Sequence, residues 1–293
     1  MRALNENPGS TWEPRVSLVV STIGRPNDLR RMLQSLVAQT YSDFEVIVVD
    51  QSRNSATADV MNEFSEALAL QHVPMQELGV SRGRNRGLAL TRGMIVGFPD
   101  DDCIYLPNVL SEVVGIFSAR MDIDALSCGS TSPGGGGGIT RFESTAGPVD
   151  RSNLLTRFVE FTFFARHEQF DGVWFNESLG GGAGTPWGAD EGPDLVLRMF
   201  NRGCRMWYFP HIEVIHPSPL MAVDEKLLKR SYSYSCGRGR LYRIHHYPFR
   251  VIAYSMARSL AGCVLNLMRL RRDWARYYWL AFYGKLRGYL AGV

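Results

Sequence analysis

The chain has 293 residues, 45% of them hydrophobic, and a formal net charge of +3. That composition excludes a disordered or low-complexity protein and allows one substantial core, or a core with an appendage. Charge is divided unevenly: residues 226–293 carry 14 Lys/Arg against Asp273 alone, net +13, while the remainder nets −10. The pattern is that of an ordinary globular body with a basic C-terminal region suited to an anionic surface.

Residues 1–15 are polar, with Glu6, Asn7, Pro8 and Gly9, and read as neither a signal peptide nor a membrane span. Residues 16–21 form a β-rich run without alternation, as expected of a strand covered on both faces. The turn Thr22-Ile23-Gly24-Arg25-Pro26 follows, then a helix capped by Asn27, with Leu29, Met32, Leu33, Leu36 and Val37 on one stripe. Residues 44–49 are a second buried strand ending at Asp50. Val60, Met61, Phe64 and Leu68 suggest another helix, and residues 70–73 a third strand. A helix beginning at Gly79 and reaching about Arg92 precedes a short apolar strand, residues 94–98.

That strand delivers Asp100, Asp101 and Asp102. Three adjacent carboxylates repel one another, so a fold that gathers them needs a cation, solvent or both. Alone, the triplet reads first as a solvated acidic turn. At the carboxyl end of a strand in an open α/β sheet it sits where such sheets bind ligands, and Mg²⁺ favours such oxygens and bridges to phosphate. Leu106, Val109, Leu110, Val113, Val114 and Phe117 repeat a helical period, and residues 125–128 make one more strand. Alternation of strand and helix to about residue 130 predicts an α/β fold with a mostly parallel, doubly wound sheet.

Pro133 and the five glycines 134–138 predict a loop, either a plain linker or a lid over ligand. Aromatic segments around 158–164 and 170–175 come next. Gly180 to Gly184 lead to Trp187 and the acids Asp190, Glu191 and Asp194 at the head of a helix with Leu195, Met199 and Phe200 inward. A strand at 205–209 should stop at Pro210, and residues 212–215 end at His216-Pro217. The five cysteines, Cys103, Cys128, Cys204, Cys236 and Cys263, contain no CxxC pair and are odd in number. This favours a reducing cytoplasm over a disulfide framework or a zinc site.

These pieces, in this order, resemble the family-2 glycosyltransferases of GT-A fold, which move a sugar from a nucleotide sugar to an acceptor. The matching residues are the first strand with Thr22 and Arg25-Pro26, Val48-Val49-Asp50, the stretch from Gly79 to Gly87, Phe98 to Asp102, Glu191 to Leu195, and His216-Pro217. They span roughly residues 16–217, and Gln51 departs from the family's second acid or glycine. The resemblance implies a GT-A nucleotide-sugar-binding and catalytic domain at 16–220, after a polar segment 1–15 and before a helical region 221–293. It implies a Mg²⁺ or Mn²⁺ cofactor on Asp102 and His216, and a nucleotide-sugar donor, expected to be a UDP-sugar. Asp101, Asp50, Thr22 and Arg25 would border that donor, and Asp100 its ribose or the metal shell. Of Arg82, Arg84 and Arg86, Arg84 or Arg82 would meet its phosphates, since three cannot all face inward from one helix. Glu191, or its neighbour Asp190, would be the base of an inverting transfer; acids in a helix's first turn also favour the macrodipole. Trp187 offers a face for a sugar ring or for core packing.

In the tail, Ser255, Arg258, Ser259, Gly262, Asn266 and Arg269 share one helical face and Ile252, Met256, Leu260, Val264 and Leu267 the other. This predicts an amphipathic helix lying in a membrane interface or packing on the catalytic domain, not a span. Aromatic and basic residues then alternate from Arg269 to Tyr289, as suits a headgroup layer. Arg238, Arg240, Arg243, His245 and His246 could meet an acceptor diphosphate. The expectation is a cytoplasmic transferase, peripheral on the inner face of the cell membrane, taking a glycan or lipid-linked acceptor and no nucleic acid. The alternatives for the tail are a subdomain closing the core and a homodimer interface. A nucleotidyltransferase, or a single-strand nucleic-acid binder using the tail, are the competing functions; the first lacks a phosphate-anchoring lysine in residues 22–26, and the acidic body gives the second no support.

Overall fold

The computed structural model describes residues 15–133, 143–217 and 223–291. The expected segment 1–15, apart from Arg15, and the glycines 134–138 lie outside the described residues. The elements run β1 (Val16–Thr22), α1 (Pro26–Val37), β2 (Phe44–Asp50), α2 (Ala56–Phe64), β3 (Ala69–Pro74), α3 (Val80–Leu88), β4 (Ile95–Gly97), β5 (Ile104–Tyr105), α4 (Val109–Ala119), β6 (Ala125–Thr131), β7 (Gly147–Val149), α5 (Leu154–Arg157), β8 (Phe163–Arg166), α6 (Glu191–Phe200), β9 (Met206–Ile215), α7 (Glu225–Ile244), α8 (Phe249–Met268) and α9 (Arg272–Leu290).

Among the described residues nine strands form one sheet in the order β3-β2-β1-β4-β8-β6-β9-β5, with β7 also paired to β9. Strands β1 to β4 are mutually parallel where they pair. β8 runs antiparallel between β4 and β6, and β6 is parallel to β9. Thus β1, β2, β3, β4, β6 and β9 point one way, and β5, β7 and β8 the other. Val16, Leu18 and Val20 of β1 pack with Leu29, Met32 and Leu33 of α1 on one face of the sheet. Val19 packs on the opposite face, whose core includes Leu88 of α3, Leu195 and Met199 of α6, and Leu241 and Tyr242 of α7. Burial on both sides is why β1 and β2 read as unbroken apolar runs.

Gly87 sets how closely α3 approaches the sheet: a methyl group there would stand 2.3 Å from Cγ1 of Val19. Asn85 on the same helix binds backbone with both ends of its amide, accepting from Phe175 N at 2.8 Å and donating to Phe175 O at 3.0 Å.

Several boundaries differ from the sequence pattern. α1 starts at Pro26 with Arg25 at the cap position, so Asn27 is already inside the helix, where Pro suits the first turn. α3 ends at Leu88, and α4 begins only at Val109, leaving Leu106 outside it. Pro210 does not end a strand; β9 passes through it, and the register to β6 shifts between Cys128 and Gly129. A bulge accommodates the missing N–H. All five cysteines are free and buried.

Candidate active site

The first strand's last residue, Thr22, lies beside Asp50 of β2, and β4 stops just short of the acidic turn. Phe98 anchors that turn, its ring buried edge-on between Phe170 and Phe175 at 5.6 and 5.0 Å. With Phe98 fixed inward, the three aspartates fan out over the carboxyl edge of the sheet. Asp101 turns inward: Thr22 Oγ1 donates to it at 2.8 Å and Arg25 at 3.1 Å. Burial pushes its carboxyl up to about 6 against the pull of Arg25 and Thr22. Arg25 also reaches Asp102 at 3.3 Å.

Asp102 and Asp100 turn toward His216, whose Nε2 lies 3.0 Å from Asp102 Oδ1 and 3.8 Å from Asp100 Oδ2. The imidazole stacks on Phe161, with centroids 4.5 Å apart, and its Nδ1 lies 2.9 Å from the Pro217 carbonyl oxygen. With Nδ1–H donating there, Nε2 of a neutral ring would aim a lone pair at two carboxylates, so a proton or a cation has to stand between them. Burial lowers the His216 pKa, but the hydrogen bond and charge of Asp102, with Asp100, outweigh it and raise it. Asp100, Asp102 and His216 each present a ligand atom, all within 4.8 Å of one another. Two carboxylate oxygens and one imidazole nitrogen fit a divalent ion such as Mn²⁺, for which the hydrogen-bonded second ring nitrogen is the usual support.

Arg84 projects from α3 between this cluster and the head of α6. It is 3% exposed, and its two terminal nitrogens donate to Asp100 Oδ1 and Glu191 Oε1, each at 2.9 Å. Glu160 lies near Glu191, and its Oε1 accepts from Gly192 N at 3.2 Å. Burial pushes Glu160 up to about 8, with the charge of Glu191 adding and Arg84 opposing. Glu191 is raised for the same first reason, with Arg84 holding it down in part. The left-handed Asp190, φ 70°, is gripped by Arg238 through two bonds of 2.7 and 2.8 Å.

Thr22, Arg25, Arg84, Asp100, Asp101, Asp102, Asp190, Glu191 and His216 line one cavity of about 950 Å³. Two expected residues do not. Arg82 lies two positions from Arg84, and at 3.6 residues per turn that puts it on nearly the opposite side of the helix. It donates to Leu78 O at 2.7 Å and borders a separate depression with Glu177. Asp50 is buried, and its carboxylate is engaged by Ser52 N at 2.9 Å and His72 Nε2 at 3.1 Å. Gln51, the departure from the family pattern, lines the cavity instead. Its amide clasps Gly79, accepting from its N at 3.0 Å and donating to its O at 2.9 Å.

Trp187 carries the guanidinium of Arg240 at 4.4 Å from its ring and is absent from the cavity lining. Asp194 holds Arg198 and His245, the latter at 2.8 Å, tying α6 to the end of α7. Arg243 faces Tyr289. Of the basic residues expected to meet an acceptor, only Arg238 borders the cavity; the others from the same helix that do so are Lys226 and Arg230, with Lys285 from α9. Those cavity residues, and Glu160, were not identified from the sequence. For Glu160 a signal exists, a lone acid in the aromatic run Phe158 to Phe164.

The glycosyl transferase family 2 model matches residues 17–171. The chain belongs to glycosyl transferase family 2. Among curated relatives of this family-2 chain, glycosyltransferase AglE of Haloferax volcanii is 26% identical over 202 residues, 65% of this chain and 66% of that one. The match to a glycosyltransferase of Nostoc sp., 29% identical over 105 residues, takes in 35% of this chain and only 33% of that protein. S. aureus TarS, solved with UDP-GlcNAc, superposes with TM-score 0.61 at 16% identity, covering 91% of this chain and 90% of that one. The mannosyltransferase PcManGT of Pyrobaculum calidifontis, solved with GDP-Man and Mn²⁺, gives the same TM-score and identity over 95% and 88%. The family-2 chain therefore has the expected GT-A fold, with the C-terminal helices added to its mixed sheet.

Proposed function

We propose that this family-2 chain transfers a sugar from a nucleotide-sugar donor to a hydroxyl of a glycan or lipid-linked acceptor, with inversion at the anomeric carbon. One observation carries the reading: a single cavity holds the Asp100–Asp102–His216 cluster and Glu191 on either side of Arg84. Breaking the sugar–phosphate bond leaves a nucleoside diphosphate, so negative charge grows on its β-phosphate. Asp100, Asp102 and His216 would hold a divalent cation, which would supply Lewis-acid stabilisation of that charge. Arg25 holds Asp101 and Asp102 in place, and Thr22 orients Asp101.

Glu191 takes the proton of the attacking hydroxyl as its oxygen bonds to the anomeric carbon. Asp190 is the weaker candidate because Arg238 occupies both its oxygens. Arg84 serves as a positioning residue for the two acidic groups, since both its terminal nitrogens are engaged by them. The donor is a UDP-sugar and the ion Mn²⁺ or Mg²⁺, readings supported by the UDP-GlcNAc of TarS and the Mn²⁺ of PcManGT. Lys226 and Arg230 at the cavity wall suit an acceptor that carries phosphate, met at the inner face of the cell membrane by a cytoplasmic enzyme.

Calorimetric titration with UDP, GDP, dTDP and CDP, with and without Mn²⁺, tests the reading. One nucleotide should bind in a Mn²⁺-dependent way, and Asp102→Ala should abolish that binding. Failure of all four to bind in either condition would overturn it.

A further inference from the structure

The tail helix α8 meets the protein largely through its small and polar side. Its small and polar side faces α9: Lys285 Nζ donates to Ser255 O at 3.0 Å and to Ser259 Oγ at 2.9 Å, and Gly262 lies against Tyr278. Ser259 and Cys263 are buried, whereas Val264 is 55% exposed, Leu267 53% and Met268 77%. Among the described residues α8 alone is long and apolar enough to cross a membrane, with mean hydropathy 1.4, yet only 11% of that stretch is buried. On the apolar side Ile252 is buried in the core and Met256 packs against it, whereas from Leu260 onward that side is exposed.

The turn after α8 continues the feature. Leu270 adopts φ 56°, a left-handed position that glycine or asparagine ordinarily fills, and is 84% exposed. Arg269, Arg271 and Arg272 surround it, all exposed, and none forms an ion pair with an acid among the described residues. An apolar tip collared by unpaired arginines complements a surface with an apolar interior and anionic headgroups. A partner protein's acidic patch would match the collar but leave the leucines facing charge.

The position of the tip relates it to the cavity. α9 runs parallel to α7, with Arg276 paired to Glu225 at their first turns and Gly239 against the backbone of Lys285 further on. α8 runs antiparallel to α9. The α8–α9 turn therefore lies at the end of the three-helix unit where Lys226 and Arg230 reach the cavity wall.

We infer that the outer face of α8 and the Leu267–Arg272 turn insert into one monolayer of an anionic bilayer, with α8 lying in the interface and the cavity opening close to the lipid headgroups. Flotation of the full chain with vesicles of phosphatidylcholine alone, or with about one third phosphatidylglycerol, tests this without donor or cation. The chain floats with the anionic vesicles and much less with the neutral ones. Joint substitution Leu267→Glu and Leu270→Glu, at exposed positions that should leave the melting temperature unchanged, lowers partitioning at least about tenfold. A second variant, Arg269→Ser with Arg271→Ser and Arg272→Ser, removes the preference for anionic lipid. Absence of flotation for the unmodified chain, or flotation unchanged in both variants, overturns the inference. So does a dimer that dissociates in the leucine variant while no form binds vesicles, which would assign this face to a second copy. Nucleotide binding is a separate measurement, so failure here leaves the transfer reading intact, and the converse holds.

Discussion

Asp100, Glu160 and Glu191 all act on the buried guanidinium of Arg84, whose own burial disfavours its charge. Removing that cation leaves carboxylates in a poorly solvated pocket, which is costlier than removing the whole group of charges. Arg84→Leu should therefore destabilise the fold by about 3–5 kcal/mol, measured by denaturant unfolding at neutral pH. Glu160 gives a pH signature with a definite sign. Its folded-state pKa of about 8 stands above the ordinary 4.5, so the folded protein holds the extra proton between those values. The stability it contributes is complete below the lower value and is lost as pH rises through the upper one. Glu160→Gln stays neutral throughout, so its melting temperature relative to the unmodified protein should rise between pH 5 and pH 8.5. A difference independent of pH would show that Glu160 ionises as an ordinary surface acid.

The elements were legible where one physical cause dominates. β1 and β2 announce themselves by apolar runs because helices cover both sheet faces, and the stripe Leu29–Met32–Leu33–Leu36 marks α1 because one side of it meets the core. Gly87 lets α3 lie close on the sheet, and Gly87→Ala should cost about 1–3 kcal/mol, since the added methyl meets Val19 and Val49 at 2.3 and 3.2 Å. An unchanged unfolding midpoint would mean that α3 shifts freely on the sheet. Pro210 misled because a proline forbids a ladder bond but a bulge removes the need for one. Helix phase misled at Arg82: spacing shows that Arg82 and Arg84 diverge, not which of them faces the sheet edge. The tail stayed open, because the sequence pattern separates two faces of α8 without saying which one the protein covers.

At the scale of the molecule, the motifs predicted from six separate stretches converge on one edge of one sheet, and that convergence was legible because strand ends in a wound α/β sheet share an edge. What stayed hidden was the cavity's other wall. Lys226, Arg230 and Lys285 arrive from segments whose local pattern gives no hint of their neighbours, and only packing of α7 and α9 on the core brings them in. The central claim is that the two acidic groups flanking Arg84 do different work, one holding the donor through a cation and the other moving a proton. Donor binding and donor turnover, measured side by side in Asp102→Ala and Glu191→Gln with Mn²⁺ present, test this most directly. Asp102→Ala should lose donor binding, whereas Glu191→Gln should bind the donor as the unmodified enzyme does and turn it over about 10²–10⁴ times more slowly. Unchanged turnover in Glu191→Gln, or unchanged Mn²⁺-dependent binding in Asp102→Ala, would contradict the account.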